Sequence, residues 1–334
     1  MKNEDDRGGS YLIHHGIVIK KIRKVLPVRG KIMRIRMAVL ILVMAAGMVM
    51  AEECNVVTQI IPPGAVVEKV AGDFKFTEGP AWDYKGTLYF SDIPNNRIIR
   101  FAGGKCDVWR ENSGAANGLM FDAQKRMIVC EGGARRVARC IGENQWETVA
   151  GSYNGKKLNS PNDLAIDAKG RIYFTDPRYG KQEGLEQDKE SVYRVDTDGK
   201  VTRIIDDTKK CNGIGISPDG RTLYIVDNGA GELRSYPLKE DGSVDAGKTI
   251  ASTPGGDGMC LDEKGNLYVT SKDGVRIFDK EGKQIGLIPV PEVPANCVFG
   301  GEKLQTLYIT ARTSLYKIDL NARGWQAQLD GEKK

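Results

Sequence analysis

The chain repeats one short motif six times, and that repeat limits its possible folds more than any other feature. Each copy begins with Asp, Glu or Asn, takes a small or apolar step, turns, and enters a Tyr-rich apolar segment. The copies read EGPAWDYKGTLYFSD from Glu78, NGLMFDAQKRMIVCE from Asn117 and NDLAIDAKGRIYFTD from Asn162. They continue as NGIGISPDGRTLYIVD from Asn212, DGMCLDEKGNLYVTS from Asp257 and NCVFGGEKLQTLYIT from Asn296. The leading residues are 39, 45, 50, 45 and 39 positions apart. A period of about 40–50 residues with several strands per unit predicts propeller blades. The expected fold is all-β, a six-bladed β-propeller with four-stranded antiparallel blades around a central axis. A radial arrangement would bring the oxygen-bearing leading side chains together on that axis.

Within each unit the pattern reads as inner strand, hairpin turn, second strand and outer strands. Turns of the form Asp-x-x-Gly recur at Asp83–Gly86, Asp167–Gly170 and Asp262–Gly265, where glycine supplies the positive φ. In the second unit Arg126 is read as standing in the glycine position, which predicts a strained turn. Val66–Val70 precedes the first unit and is expected to complete the last blade. Asp92, Glu131, Asp176 and Asp227 recur at the ends of second strands and read as architectural. The expected division is 1–51 as extension and secretory signal, 52–65 as linker, 66–320 as propeller and 321–334 as C-terminal tail. An insertion, Arg178–Ser191, splits the third unit at one face of the ring. It fits a mobile cover over a ligand as well as a solvated surface loop.

The net charge of +5 is misleading. Residues 1–51 hold 10 Lys and Arg against 3 acids, a net +7, so the remainder is −2 (5 minus 7). A nucleic-acid partner is not expected. Met33–Arg36 is basic, Met37–Met50 is uninterruptedly apolar, and Val49-Met50-Ala51 offers small residues for cleavage. That order describes an export signal, too short to be a comfortable membrane span. The expectation is a periplasmic or extracellular protein, not stably membrane-associated after cleavage, monomeric or weakly homo-oligomeric. Seven cysteines follow the signal and none has Cys-x-x-Cys spacing. Cys260 and Cys297 fall in predicted buried strands and read as free thiols packing like small hydrophobes. The two histidines, His14 and His15, lie in the tail. Beyond it no triad or imidazole metal site can be built.

Chemistry therefore falls to the axial set. Glu78 and Asp257 bring negative charge; Asn117, Asn162, Asn212 and Asn296 bring amide oxygens. Two converging carboxylates need a proton or a cation. Oxygen donors favour Ca2+, Mg2+ or Mn2+. Asn117 and Asn296 are the members most readily read as structural, because such residues often satisfy local backbone groups.

From about Val66 to Asp319 the chain resembles the family of senescence marker protein, gluconolactonase and luciferin-regenerating enzyme. The matching motifs are Thr77-Glu78-Gly79-Pro80-Ala81-Trp82, Leu158-Asn159-Ser160-Pro161-Asn162-Asp163 and Thr175-Asp176-Pro177-Arg178-Tyr179-Gly180. Asn212-Gly213, Asp257-Gly258-Met259-Cys260 and Asn296-Cys297-Val298-Phe299-Gly300-Gly301 complete them. The resemblance implies one axial divalent cation, Ca2+ first, with Mg2+, Mn2+ or Zn2+ as alternatives. It implies Glu78, Asn212 and Asp257 as metal ligands and Asn162 as a metal or substrate contact. Asp257 would be the catalytic base, and Tyr179 would border the ligand. Animal members carry Arg where Ser160 stands, so their substrate choice does not transfer. The implied activity is metal-dependent opening of a lactone, a small-molecule partner. The alternative is a non-catalytic binding propeller whose cation only knits the blades.

Overall fold

The computed structural model describes residues 57–179 and 184–330 (Gln328 and Asp330 by backbone alone), with the backbone of Ile13–His14 and Ile17–Val18. Residues 1–52 form a separate unit in which those two short strands pair antiparallel. The expected export signal, residues 33–51, lies outside the described residues.

The repeat folds as six four-stranded antiparallel blades, a six-bladed β-propeller. The first blade runs Thr77–Trp82, Leu88–Asp92, Arg97–Ala102 and Lys105–Glu111 in spatial order. The next four blades repeat that meander, with inner strands Ala116–Phe121, Leu164–Ile166, Cys211–Ile216 and Met259–Asp262. The sixth takes three strands from the end of the repeat, Pro294–Gly300, Thr306–Ala311 and Ser314–Asp319. Its fourth is Glu68–Ala71, which pairs with Ser314–Asp319. The segment preceding the first unit thus closes the ring as expected, because a meander of separate sheets has no other way to join first blade to last. Gly324–Trp325 adds a fifth strand on the axial edge of Met259–Asp262. Among the described residues helix is confined to short segments such as the 3-10 turn Ile93–Asn95 and Ala327–Asp330.

Second strands such as Met127–Glu131, Ile172–Asp176 and Leu267–Ser271 are buried along their whole length. Both faces of these strands pack against neighbouring blades, so they read as continuous apolar runs rather than alternating ones. The blades meet through aromatic and aliphatic clusters. Trp82 of the first blade stacks on Tyr308 of the sixth at 5.7 Å and packs with Leu88, Phe90 and Val298.

The recurring acids have the architectural role expected of them. Asp92 accepts from the backbone N–H groups of Lys75 and Phe76 at 3.0 and 3.3 Å, and pairs with Arg97. Asp176 accepts from Asn159 and Ser160, both at 2.7 Å, and Asp227 from Lys209 and Lys210 at 2.8 and 2.9 Å. Each pins the segment that leads into its own blade's inner strand. Glu131 departs from that pattern and pairs with Arg110 and Arg136.

The second unit's turn requires a correction. Asp122 aligns with Asp167, and Arg126 aligns with Arg171, not with a glycine. Both arginines clamp their turn aspartate through Nε, at 2.8 and 2.6 Å. The left-handed residue is Lys125, at φ 62°.

Candidate functional site

The axial residues reach the centre because the inner strands break register at them. Pairing with the second strand skips between Glu78 and Ala81, between Ala116 and Leu119, and between Cys211 and Ile214. Such bulges re-aim a side chain out of the sheet. Asn162 and Asp257 stand just before their strands, held by backbone bonds from their N–H groups to Thr175 O (2.9 Å) and Thr270 O (3.0 Å). The glycines after the axial residues answer to close approach between blades. Gly213 donates to Asp257 O at 2.8 Å, and a Cβ there would lie 2.5 Å from that same oxygen. At Gly79 a Cβ would lie 2.0 Å from Asn117 O, and its φ of 47° is left-handed.

A cavity of about 370 Å³ opens on this axis. Glu78, Asn117, Asn162, Asn212, Asp257 and Tyr179 line it together, with Phe76, Ile93, Ala115 and Pro161 as its apolar wall. Ser160 and Asn228 add polar groups, and among the described residues neither Lys nor Arg lines it. Glu78, Asn162 and Asn212 are buried. Asn212 Nδ2 donates to Asp257 Oδ1 at 2.5 Å and to the Tyr179 hydroxyl at 2.8 Å. One amide thereby ties the fourth and fifth blades to the insertion. Lys210 Nζ sits 5.0 Å from the Tyr179 ring.

The structure brings together every residue singled out for the site from sequence. One position needs revision and one was missed. Asn117 was read as structural, yet it lines the cavity, and its Oδ1 is buried without a hydrogen-bond partner among the described residues. Its backbone carbonyl accepts from Ser91 Oγ at 2.7 Å. Asn296 is structural as read: Oδ1 accepts from Cys297 N at 2.8 Å and Nδ2 donates to Asp163 Oδ2 at 3.2 Å. Asp163 is the residue that sequence reasoning missed. In this one unit an acid replaces the small step after the leading residue, and that break in pattern was the available signal. Its side chain is buried, and its Oδ1 accepts from Leu164 N at 2.9 Å.

Burial dominates the electrostatics. It lifts Asp257 to about 7 against the hydrogen bond from Asn212, with the Asp163 charge adding and Arg312 opposing. Burial, then the Asp257 charge, raise Glu78 well above the usual carboxylate range, against the Gly79 N–H. Burial also lifts Asp163 to about 7. These carboxylates are thus held where their charges are poorly compensated. Among the described residues no three His, Cys, Asp or Glu side chains gather as a metal cluster. A cation here would depend on amide oxygens beside two carboxylates. The donor set fits a hard ion: oxygen only, two negative charges, and an orphaned amide oxygen at the rim.

The insertion is not simply solvated. Gln187 is buried, and its Nε2 donates to the carbonyls of Tyr153, Lys156 and Lys157 at 3.1, 2.8 and 3.2 Å. Arg135 donates to Gly184 O at 3.1 Å and pairs with Glu186 at 3.5 Å. Its far half is thereby pinned to the Ser152–Tyr153 and Lys156–Lys157 hairpin, while Tyr179 reaches the cavity. Residues 180–183 lie outside the described residues.

Comparison with known proteins matches this architecture. The family model described as the SMP-30/gluconolactonase/LRE-like region covers residues 76–313. A gluconolactonase from Zymomonas mobilis is 30% identical over 297 residues, spanning 78% of this chain and 82% of its own. The pentonolactonase XacC of Haloferax volcanii is 29% identical over 70% of this chain and 80% of its own. A solved gluconolactonase from Xanthomonas campestris superposes with a TM-score of 0.74 at 34% identity, covering 79% of this chain and 92% of that one. Since that family model spans residues 76–313, the chain belongs to the SMP-30/gluconolactonase/LRE-like family.

Proposed function

We propose that the axial cavity hydrolyses a lactone, with a divalent cation held by Glu78, Asn212 and Asp257 and with Asn162 as further ligand or substrate contact. The observation carrying this reading is the meeting of buried Glu78 and half-buried Asp257, both poorly compensated, with amide oxygens in one ligand-sized cavity. Lactonase relatives across most of the chain support the reaction class. A bound cation would polarise the lactone carbonyl and stabilise the negative charge that grows on it as water adds. Asn212 would turn its amide oxygen inward, replacing its present contact with Asp257. Asp257 accepts the proton of the attacking water through an oxygen left free and returns it to the ring oxygen as the acyl C–O bond breaks, giving the open hydroxy acid. Asn162 and Tyr179 orient the substrate, and Phe76, Ile93 and Pro161 limit solvent on the opposite wall. Among the described residues no Lys or Arg lines the cavity, which favours a neutral lactone over one bearing a carboxylate. Ca2+ is the first choice, since it tolerates irregular mixtures of carboxylate and amide oxygens. Export to the periplasm or beyond belongs to the same proposal and rests on the basic-apolar-small order of residues 33–51.

The test is hydrolysis of aldonolactones, followed by acid release, with EDTA-treated protein before and after adding Ca2+, Mg2+, Mn2+ or Zn2+. Activity should appear on addition and vanish in Asp257→Ala. Rates equal to spontaneous hydrolysis for every ion and lactone would remove the enzymatic reading.

A further inference from the structure

Behind the site, on the same axis, a narrow space of about 70 Å³ is lined by Asp163, Met259, Cys260, Asn296, Cys297 and Trp325, among others. In it the Sγ atoms of Cys260 and Cys297 lie 3.5 Å apart. The backbone fixes this meeting. Gly258 N donates to Ala295 O at 2.8 Å, bridging the fifth and sixth blades. Each cysteine stands two residues beyond its half of that bridge, on the neighbouring inner strands Met259–Asp262 and Pro294–Gly300. Thr270 Oγ1 donates to the same Ala295 oxygen at 2.8 Å, bracing the contact from the second strand. Cys297 Sγ also lies 3.5 Å from Tyr268 O, as Cys140 and Cys211 donate to the backbone carbonyls of Gly142 and Ser191, but among the described residues only the Cys260 and Cys297 sulfurs meet each other.

We propose that Cys260 and Cys297 form a cross-linking site, closed to a disulfide by a small disulfide donor such as oxidised glutathione. One cysteine thiolate attacks a donor sulfur, giving a mixed disulfide and releasing one donor thiol. The second cysteine then displaces the other half as a thiol. Two protein thiols are oxidised, one donor disulfide is reduced to two thiols, and their protons pass to the departing sulfurs. The bond requires the sulfurs to close from 3.5 Å to about 2.05 Å. The link would staple the inner strands of two blades three residues beyond Asp257 and one beyond Asn296. Cys297 is 3% exposed, and Gly324–Trp325 pairs alongside at Leu261 and Asp262. Exchange therefore belongs to folding, before the C-terminal strand docks. Burial, then the Cys297 contact, also raise the Cys260 thiol and slow exchange in the finished ring.

The experiment is refolding of the reduced, denatured full chain with and without a glutathione redox pair, followed by alkylation and non-reducing tryptic mapping. Peptides 249–264 and 284–303 each carry one of the two cysteines. They should appear joined, about 2 Da lighter than their sum, and separate on adding dithiothreitol. The linked protein should melt on the order of 5 °C higher, a gain absent from Cys297→Ser and from the Cys260→Ala/Cys297→Ala pair. Folded protein with both thiols fully alkylated overturns the proposal. So does the same rise in the double variant, because the rise would then come from elsewhere.

Discussion

Asp257 is a half-buried carboxylate placed where its charge is costly, as a reaction centre requires and a stable core does not. Replacing it separates those two demands. Asp257→Asn should lower kcat/KM at least ~100-fold. In EDTA at pH 8 its melting temperature should equal or exceed that of the wild type, because a half-buried charge beside Glu78 has been removed. Thermal denaturation of both proteins with chelator present checks this. A melting point several degrees lower would mean that the carboxylate stabilises the ring. At this scale the sequence disclosed residue types and order. It did not disclose Asp163, because an acid beside an Asn looks like part of a turn until the sixth blade's Asn296 arrives from 133 residues away.

Elements are set by acids and closure strands. Asp92 is wholly buried and holds two backbone N–H groups, Asn95 and Arg97. Asp92→Ala removes the buried acceptor that gathers these part-exposed donors. It should cost about 2–4 kcal/mol, read from urea denaturation, with the activity of the remaining folded fraction unchanged. The closure strand is a stronger test. A chain beginning at residue 72 lacks the strand that pairs with Ser314–Asp319 and leaves the sixth blade three-stranded. Its unfolding should become broad and occur at much lower denaturant; an unaltered sharp transition would show that closure contributes little. Strand order and closure were legible because a period of two inside a period of about 45 leaves few topologies. The turn register at Lys125 was not, because αL geometry on a non-glycine residue leaves no mark in residue type.

For the whole molecule, the raised carboxylates predict a pH dependence of known sign. Asp163, Asp176 and Asp257 ionise near 7 in the folded chain, principally through burial, against about 4 when unfolded. Between those values the native state binds more protons than the unfolded state, so stability falls as pH rises from about 4 to 7 and stays low above it. Glu292 works in the opposite sense. Hydrogen bonds from Ser314, Thr313 and Tyr316 overcome its burial and hold it at about 2. The stability it contributes is lost only as pH falls below the ordinary glutamate range. Chelated protein should therefore melt at a higher temperature at pH 5.5 than at pH 8. Added Ca2+ should raise the melting temperature more at pH 8, as differential scanning fluorimetry would report; equal shifts at both values would disconnect the ion from these carboxylates. The sequence by itself determined the blade count, the β class and which oxygen-bearing residues lead each unit, because backbone pairing and side-chain alternation are local and periodic. Only the tertiary structure decided which of those oxygens share a cavity, which are spent on holding another blade, and that Asp163 stands among them. Those outcomes depend on how neighbouring blades approach within hydrogen-bond distance, and no spacing along the chain encodes that approach.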